Sequence, residues 1–338
     1  MTHTQQVLAS LSDNAIRSAT VVMVLAMLGY AAQWAYARER SALQTSMRRQ
    51  RNRELVGAAG APPMPERDLT DPATTEAAMT AVVDGAERAE KGDRFGRIGF
   101  NLFVLGAVVL AAGVLFRGLA AGRVPWSNMY EFATSAAAVV SLTYLALRSR
   151  LRLQWLAFPL VGFLIVILGL GTTVLYEPVA GLVPALQSYW LAIHVTAAVL
   201  STSLFTVGAV TTVMQLLKGR AERRGTDRAG YLSKLPAANR IDSISYRINA
   251  FAFPIWTFAL MAGAIWAQHA WGRFWSWDPK ETWMFISWVC YAAYLHARAT
   301  PGWRARLPWI GLVAYTTVLF NLVGVNVFIT GLHSYAGI

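Results

Sequence analysis

The sequence predicts an all-α polytopic membrane protein with about eight transmembrane helices. Of its 338 residues, 55% are hydrophobic and only 14% are charged, and the mean hydropathy is +0.40. This composition is unusual for a water-soluble protein, and its apolar segments reach the roughly 20 helical residues that cross a bilayer. The basic residues behind the net charge of +12 lie between these segments. We therefore attribute them to membrane topology and expect membrane lipid, not nucleic acid, as a partner.

The apolar segments divide the chain into three parts. Residues 1–36 form a terminal tail and the first span, and residues 98–338 form the main membrane domain. Between them, residues 37–97 carry 11 Lys or Arg and 10 Asp or Glu residues, which predicts a polar cytoplasmic loop, partly helical or disordered. The predicted spans lie near residues 15–36, 98–118, 127–147, 153–175, 188–217, 246–271, 282–298 and 307–328.

The orientation follows from the basic residues of the short connections. The connections 148–152 and 298–306 carry three Arg each, and the connection 218–247 is also strongly basic. The loop 176–187 and the C-terminal tail contain no Lys or Arg. We therefore expect the basic connections in the cytoplasm, and the loop 271–281 and both termini on the extracytoplasmic side of the plasma (inner) membrane.

One short loop carries an unusual concentration of tryptophan. Four Trp and one Phe lie between Trp271 and Trp283, with a charged stretch from Asp278 to Glu281 among them. A large flat aromatic surface with charges beside it suits a planar, amphipathic ligand such as haem. Tryptophan also anchors proteins at membrane interfaces. Asp278 and Glu281 can in addition cap the next helix, with Pro279 in its first turn.

Two histidines are expected near this loop. His194 lies about two turns into the fifth predicted span, and His333 lies just beyond the outer end of the eighth. Neutral imidazoles are good axial ligands for haem iron, so we interpret this pair as a candidate ligand set. The alternative is two unrelated interfacial histidines bonded to backbone carbonyls. His269, close to the loop, is a weaker candidate.

His296 is expected at a different depth. It lies near the inner end of the seventh predicted span, roughly 20 Å from the Trp-rich loop at about 1.5 Å per helical residue. It cannot bind the same iron as the outer pair, so it indicates a second haem site nearer the cytoplasm, completed by a partner protein. The alternative is a histidine that reaches the interface beside Arg298.

A further connection, 122–131, combines Arg123, Asn128 and Glu131. These side chains could meet haem propionates or a substrate. The alternative is an ordinary helix start, with Ser127 or Asn128 as its cap.

The stretch Trp271-Gly-x-x-Trp275-x-Trp277-Asp278-Pro-Lys-Glu281 resembles the WWD motif of the haem-handling cytochrome c assembly proteins. Flanking segments narrow the resemblance to the CcsA (ResC) component of System II cytochrome c synthase, over roughly residues 98–338. These segments are 125–131, 188–195, 294–298, 324–326 and 331–335. The resemblance implies a fixed set of haem-binding residues. The implied axial ligands are His194 and His333 at the outer site and His296 for haem in transit, and the implied haem-binding loop residues are Trp271, Trp275, Trp277 and Asp278.

The resemblance also implies a function. Haem b would be delivered across the membrane and attached covalently to the CxxCH cysteines of an apocytochrome c on the outer face. The implied partners are a CcsB/ResB-type subunit, the apocytochrome and upstream thiol-reducing proteins. The residues assign no catalytic acid or base, and Asp278 and Glu281 are the only candidates.

Two alternative functions remain at this point. One is a haem exporter or binding scaffold without synthase activity, which would need the same sites. The other is a di-haem membrane electron carrier. Such carriers usually place paired histidines on the same two helices, and none of the predicted spans carries two histidines at that spacing.

Overall fold

The computed structural model describes residues 2–58, 72–179, 188–226 and 230–333. Within these residues all regular structure is helical, which confirms the predicted fold class. Past α8 the chain continues through a π-helical turn, Phe320–Gly324, into the short helix α9, Val325–Phe328. The long helices are α1 His3–Ala58, α2 Pro72–Ala121, α3 Met129–Arg150, α4 Ala157–Thr173, α5 Tyr189–Arg224, α6 Ala238–Trp271, α7 Pro279–Ala299 and α8 Leu307–Leu319.

Seven helical segments in the described part of the chain are long and apolar enough to cross a membrane. They correspond to seven of the eight predicted spans, so the protein is a multi-pass membrane protein. The remaining predicted span, 282–298, is helix α7. Its mean hydropathy is lower because it is rich in Trp and Tyr and carries Lys280, Glu281 and Arg298. The seven segments are His3–Tyr36, Ala86–Ala121, Met129–Arg150, Gln154–Thr173, Tyr189–Arg224, Ala238–Trp271 and Leu307–Phe328.

Helix α7 nevertheless runs from one end of the bundle to the other. At 21 residues it is about 31 Å long, close to the thickness of a bilayer core. Its first residues lie against the segment after α9, where Asp278 contacts His333. At its other end, Arg298 forms an ion pair with Asp242 near the start of α6. Within the described ranges, eight helices therefore traverse the bundle.

The connections between helices separate into two groups at opposite ends of the bundle. At one end, Tyr231 donates a hydrogen bond to the carbonyl of Trp155 and packs against Trp34, with ring centroids 4.6 Å apart. At the other end, Tyr176 donates to Asp13. The Arg-rich connections share the first end and the Trp-rich loop lies at the second. The structure thus groups the connections at the two ends of the bundle as the charge pattern predicted. Which of these ends faces the cytoplasm stays a prediction.

Parts of several predicted loops lie outside the described residues. These parts are 59–71 of the long polar loop, 180–187 of the predicted outer loop, 227–229 of the basic connection and 334–338 of the C-terminal tail. Helix α1 continues to Ala58 and α2 begins at Pro72. Both flanks of the predicted loop 37–97 are therefore helical extensions of the spans.

Helices α1 and α2 pack at unusually short range. A Cβ atom on Gly29 would lie 2.9 Å from the Cα atom of Gly99, which is closer than real side chains approach. Small residues allow this contact, and van der Waals packing drives helix association in lipid. Four glycines of α2 that face α1 recur every seven residues, at Gly92, Gly99, Gly106 and Gly113, and Gly96 faces α1 as well.

Helix α5 lies at the centre of the second half of the chain. Phe205 stacks on Tyr291 of α7, with ring centroids 3.6 Å apart. Thr206 shares a 2.9 Å hydrogen bond with Tyr315 of α8, and Thr212 shares one of 2.6 Å with Ser245 of α6. Hydrogen bonds between buried hydroxyls hold helices together where lipid gives no hydrophobic drive. These hydrogen bonds and the stacking of Phe205 on Tyr291 fix α5, α6, α7 and α8 around the site described below.

Candidate functional site

A cavity of about 340 Å³ lies between α3, α4, α5, α6, α7 and α8. Its volume is within the range of small-molecule binding sites, and its walls are mainly aliphatic and aromatic. Among the described residues that line it, Lys280 and Glu281 are the charged ones. The residues of greatest chemical interest along it are His194, Trp266, Trp271, Trp275, Lys280 and His333.

His194 projects from α5 against α6. Its Nδ1 atom lies 2.8 Å from the carbonyl oxygen of Ala259. A carbonyl can only accept, so Nδ1 carries the proton and Nε2 carries the lone pair. The ring lies so close to α6 that a Cβ atom on Gly263 would come within 2.8 Å of it. Gly263 therefore makes room for the imidazole, and the Ala259 carbonyl sets its tautomer.

His333 lies just past α9 and is tied to the start of α7. Its Nδ1 atom is 2.7 Å from the Oδ2 atom of Asp278. The backbone amide of Leu332 donates to the Oδ1 atom of the same carboxylate, also at 2.7 Å. A Cβ atom on Gly331 would lie 2.7 Å from Oδ1. Asp278 thus fastens this segment to α7, and its carboxylate acceptor places the proton of a neutral His333 on Nδ1.

The carboxylate of Asp278 is buried and ionised. Burial by itself raises its pKa, but hydrogen bonds from His333, Leu332 and the backbone of Lys280 outweigh burial and hold the pKa below its ordinary value. Asp278 is also the N-cap residue of α7. One carboxylate therefore starts the helix and positions His333.

Glu281 completes the cap from the other direction. Its Oε2 atom accepts hydrogen bonds from the amide and hydroxyl of Ser276, at 2.9 and 3.1 Å, and from the amide of Asp278 at 3.3 Å. This is a capping box, in which two side chains satisfy the open amides of a helix start. The predicted capping role of both acidic residues is confirmed. The Oε1 atom of Glu281 is buried without a hydrogen-bond partner in the structure.

Trp266 links the two cavity histidines. Its ring stacks near His194, with centroids 6.0 Å apart at 14°, and meets the edge of His333 at 5.5 Å. Trp271 contacts Trp266 at 4.8 Å and His333 at 4.9 Å, between ring centroids. Trp266 was not among the predicted site residues, because a tryptophan near the end of a predicted span is typical of an interfacial belt.

The tryptophans of the loop do not form the flat aromatic surface that the sequence predicted. Trp271 meets Trp266 at an interplanar angle of 62°, and Trp275 meets Trp277 at 88°. Trp271 and Trp275 line the cavity, but Trp277 does not and is 66% exposed. Trp277 has a φ of +62° directly before the N-cap. The loop must turn sharply there to enter α7, and this turn directs Trp277 outward.

His296 is not at the cavity. It lies on the exposed side of α7, near the end of this helix that is opposite to Asp278. Its neighbour Arg298 is paired with Asp242 and lies over the ring of Tyr246 at 4.9 Å. The structure therefore separates His296 from the outer pair, as helix length predicted. His269 is also exposed, and it bonds the carbonyl of Ile265 in its own helix.

The charged side chains of the connection 122–131 are neutralised by contacts within the protein. Asn128 caps α3 by accepting from the amide of Glu131 at 2.9 Å. The fully buried Glu131 accepts from Arg117 at 3.1 Å and from Arg123 at 2.7 Å. The helix-start interpretation of Asn128 is confirmed. A buried ion pair of this kind keeps its charges within the protein.

Comparison with known proteins identifies the family. The model of the family described as "Cytochrome C assembly protein" matches residues 126–333, which include the Trp-rich loop and both cavity histidines. The chain is 32% identical over 257 residues to cytochrome c biogenesis protein CcsA of Guillardia theta, covering 70% of this chain and 85% of that protein. The chain belongs to the CcsA family. It is also 34% identical over 263 residues to CcsA of Parasynechococcus marenigrum, covering 69% and 85% of the two chains.

A solved structure shows the same fold. Cytochrome c Heme Lyase CcmF matches this CcsA-family chain with a TM-score of 0.50 at 18% sequence identity. The match covers 88% of this chain but only 46% of that protein's length, so it compares helix arrangement and not the whole of CcmF. Family membership places the chain in cytochrome c biogenesis and implies that it handles haem.

Proposed function

We propose that this protein delivers haem b to the outer face of the membrane and, with a CcsB/ResB-type partner, attaches it covalently to an apocytochrome c. One observation carries the proposal. His194 and His333 line one aromatic cavity, and each has its Nδ1 atom directed at an oxygen acceptor. This arrangement places the lone pair of a neutral imidazole on Nε2, the nitrogen left to bind iron.

The residues of the cavity fit haem as a substrate. His194 and His333 would supply the axial ligands, and Trp271 and Trp275 would add aromatic contacts with the porphyrin. The hydrogen-bond acceptors behind the histidines, Ala259 and Asp278, hold the ring orientations. Because these orientations are fixed before binding, less conformational entropy is lost when the ligand enters.

The chemistry needs no cysteine from this chain. Each substrate thiol adds across one haem vinyl group, so that a C–S bond forms, the sulfur proton goes to carbon and no electrons are exchanged. Asp278 uses both oxygens for hydrogen bonds within the protein, which makes it a positioning residue. Glu281 lines the cavity, and its buried Oε1 atom has no hydrogen-bond partner. We therefore assign any proton transfer by this chain to Glu281 in preference to Asp278.

A second site at His296 would serve haem in transit. Its exposed position on α7 suits an axial ligand whose counterpart belongs to a CcsB/ResB-type subunit. In this arrangement the Arg-rich end of the bundle lies in the cytoplasm, and the cavity, the loop 271–281 and both termini lie outside. Upstream thiol-reducing proteins would keep the apocytochrome cysteines reduced at that face.

A haem exporter or scaffold without synthase activity would use the same cavity, so experiment must separate it from a synthase. A di-haem electron carrier fits less well. In the part of the chain described, two histidines share one cavity and His296 has no second histidine beside it.

Co-expression decides between these functions. The chain is produced with and without a CcsB/ResB-type partner in cells that export an apocytochrome c, and covalent haem is measured on denaturing gels. The proposal expects covalent haem only when all components are present. Covalent haem should fall strongly in His194→Ala and His333→Ala and return partly with added imidazole, while His269→Ala serves as the matched control. If haem crosses the membrane but never becomes covalent, the protein is an exporter.

A further inference from the structure

Lys280 is a lysine of the cavity wall. It is the second residue of α7 and lines the cavity together with His194 and His333. In the described part of the chain, no side-chain or backbone oxygen lies within hydrogen-bond or ion-pair distance of its ammonium group. Its charge interacts electrostatically with both His194 and Asp278. A partly buried ammonium without a close acceptor therefore lies beside the two candidate iron ligands.

No acidic group in the described part of the chain forms an ion pair with this ammonium. Asp278 is committed to His333 and the two backbone amides, and Glu281 directs Oε2 into the helix cap. Removing a charge from water is costly unless a partner compensates for it. Ionisable residues at membrane depth are accordingly rare and tend to be functional. The arrangement favours an anionic group on the ligand that fills the cavity.

Lys280 is also held in fixed register with His333. The backbone amide of Lys280 and the Nδ1 atom of His333 both bond the Oδ2 atom of Asp278, at 3.2 and 2.7 Å. One carboxylate oxygen thus links the residue that carries the ammonium to the residue that carries an iron ligand. Lysine presents a compact point charge on a flexible stem, which suits a single carboxylate group.

We propose that Lys280 binds a propionate carboxylate of haem and so selects the in-plane orientation of the porphyrin. This inference rests on the proposed function, because it takes haem as the ligand. The propionates and the vinyl groups lie toward opposite edges of haem b. Anchoring a propionate at the start of α7 therefore directs the reactive vinyl edge away from Lys280. Arg123, a basic side chain of the connection 122–131, is bonded to Glu131, and neither Arg123 nor Arg273 lines the cavity.

Two porphyrins distinguish a charge-specific role. The purified full chain is titrated with haemin and with haemin dimethyl ester, and binding is followed by the visible absorption of low-spin, two-imidazole iron. Wild type should prefer haemin by about ten- to a hundredfold, since hydrogen bonds to charged groups contribute about 1.5–3 kcal/mol. Lys280→Met should lose this preference and keep its affinity for the ester, and Lys280→Arg should retain most of it.

The control is Lys91→Met, which removes the same charge at an exposed site on α2 and should behave as wild type. A Lys280→Met protein that still prefers haemin by the wild-type factor overturns the inference and leaves the proposed function standing. Equal losses for both porphyrins would show that Lys280 supports the fold and binds no carboxylate. If wild type binds neither porphyrin through two imidazoles, the proposed function falls, and this inference falls with it.

Discussion

Replacing Asp278 with Asn should loosen His333 without removing it. In the native protein Oδ1 accepts from Leu332, and Oδ2 accepts from His333 and from the amide of Lys280. An asparagine offers one acceptor oxygen and places a donating NH₂ group at the other position. One of the donors from His333, Leu332 or Lys280 must then face this NH₂ group, which is also a donor, inside a buried contact. The structure therefore predicts a specific local loss at the α7 start.

The size of the loss follows from the bonds affected. A hydrogen bond to a charged group contributes about 1.5–3 kcal/mol, and an unsatisfied buried donor costs about 1–3 kcal/mol. Outer partners of metal ligands change affinity by about 10–100-fold. We expect haem affinity to fall by about that factor in Asp278→Asn. His333→Ala should lose more, and the losses of the two single variants should not add in the double variant, because Asp278 and His333 share one contact.

The assay is haem titration of the purified variants, together with the reduction potential of bound haem. Asn128→Ala is the matched control, since it removes the N-cap of another helix, α3, and Asn128 neither lines the cavity nor bonds His333. The pH profile gives a second readout. The lowered pKa of Asp278 means that its stabilisation is complete above the unfolded value of about 4 and is lost only as pH falls through the lower folded value. Titration of Asp278 should therefore cause no change in the haem affinity of the wild-type protein between pH 5 and 8. If Asp278→Asn keeps the wild-type affinity and potential, the positioning role is wrong.

Four further substitutions test other contacts. Gly263→Ala should displace the His194 ring, since the new Cβ would lie 2.8 Å from it, and should weaken haem binding about tenfold, measured by the same titration. Trp271→Ala should reduce haem affinity because it removes a wall of the cavity beside His333. Trp277→Ala should leave affinity within about twofold, because Trp277 is exposed outside the cavity, and equal effects of the two tryptophans would contradict the geometry. Gly99→Val should lower the thermal unfolding temperature in detergent, since overpacking costs about 1–3 kcal/mol where α1 and α2 nearly touch; an unchanged transition would argue against that contact.

The fold was predictable because its signal is local. The apolar length of each span and the basic residues of each connection are read directly from consecutive residues. The span at α7 illustrates the limit of this approach. Its Trp, Tyr and charged residues reduce its hydropathy, yet it traverses the bundle, and its tyrosines Tyr291 and Tyr294 are buried in the interior.

The site was predictable only in part. The sequence singled out His194, His333, Trp271 and Trp275, all of which line the cavity. It also placed Trp277 in the same group, because a sequence motif does not distinguish between the three tryptophans of one loop. The backbone does distinguish them, since Trp277 alone of the three has a positive φ, which turns its side chain away from the cavity.

The sequence by itself determined a helical membrane protein of the cytochrome c assembly type, its spans and its candidate iron ligands. These properties depend on residue type and spacing along single helices. Only the tertiary structure decided that Trp266 bridges the two histidines, that Asp278 bonds His333 across 55 residues, and that Lys280 lines the same cavity. Such contacts join residues far apart in the chain, so no local pattern specifies them. They exist because packing brings the start of α7, the end of α6 and the segment after α9 together.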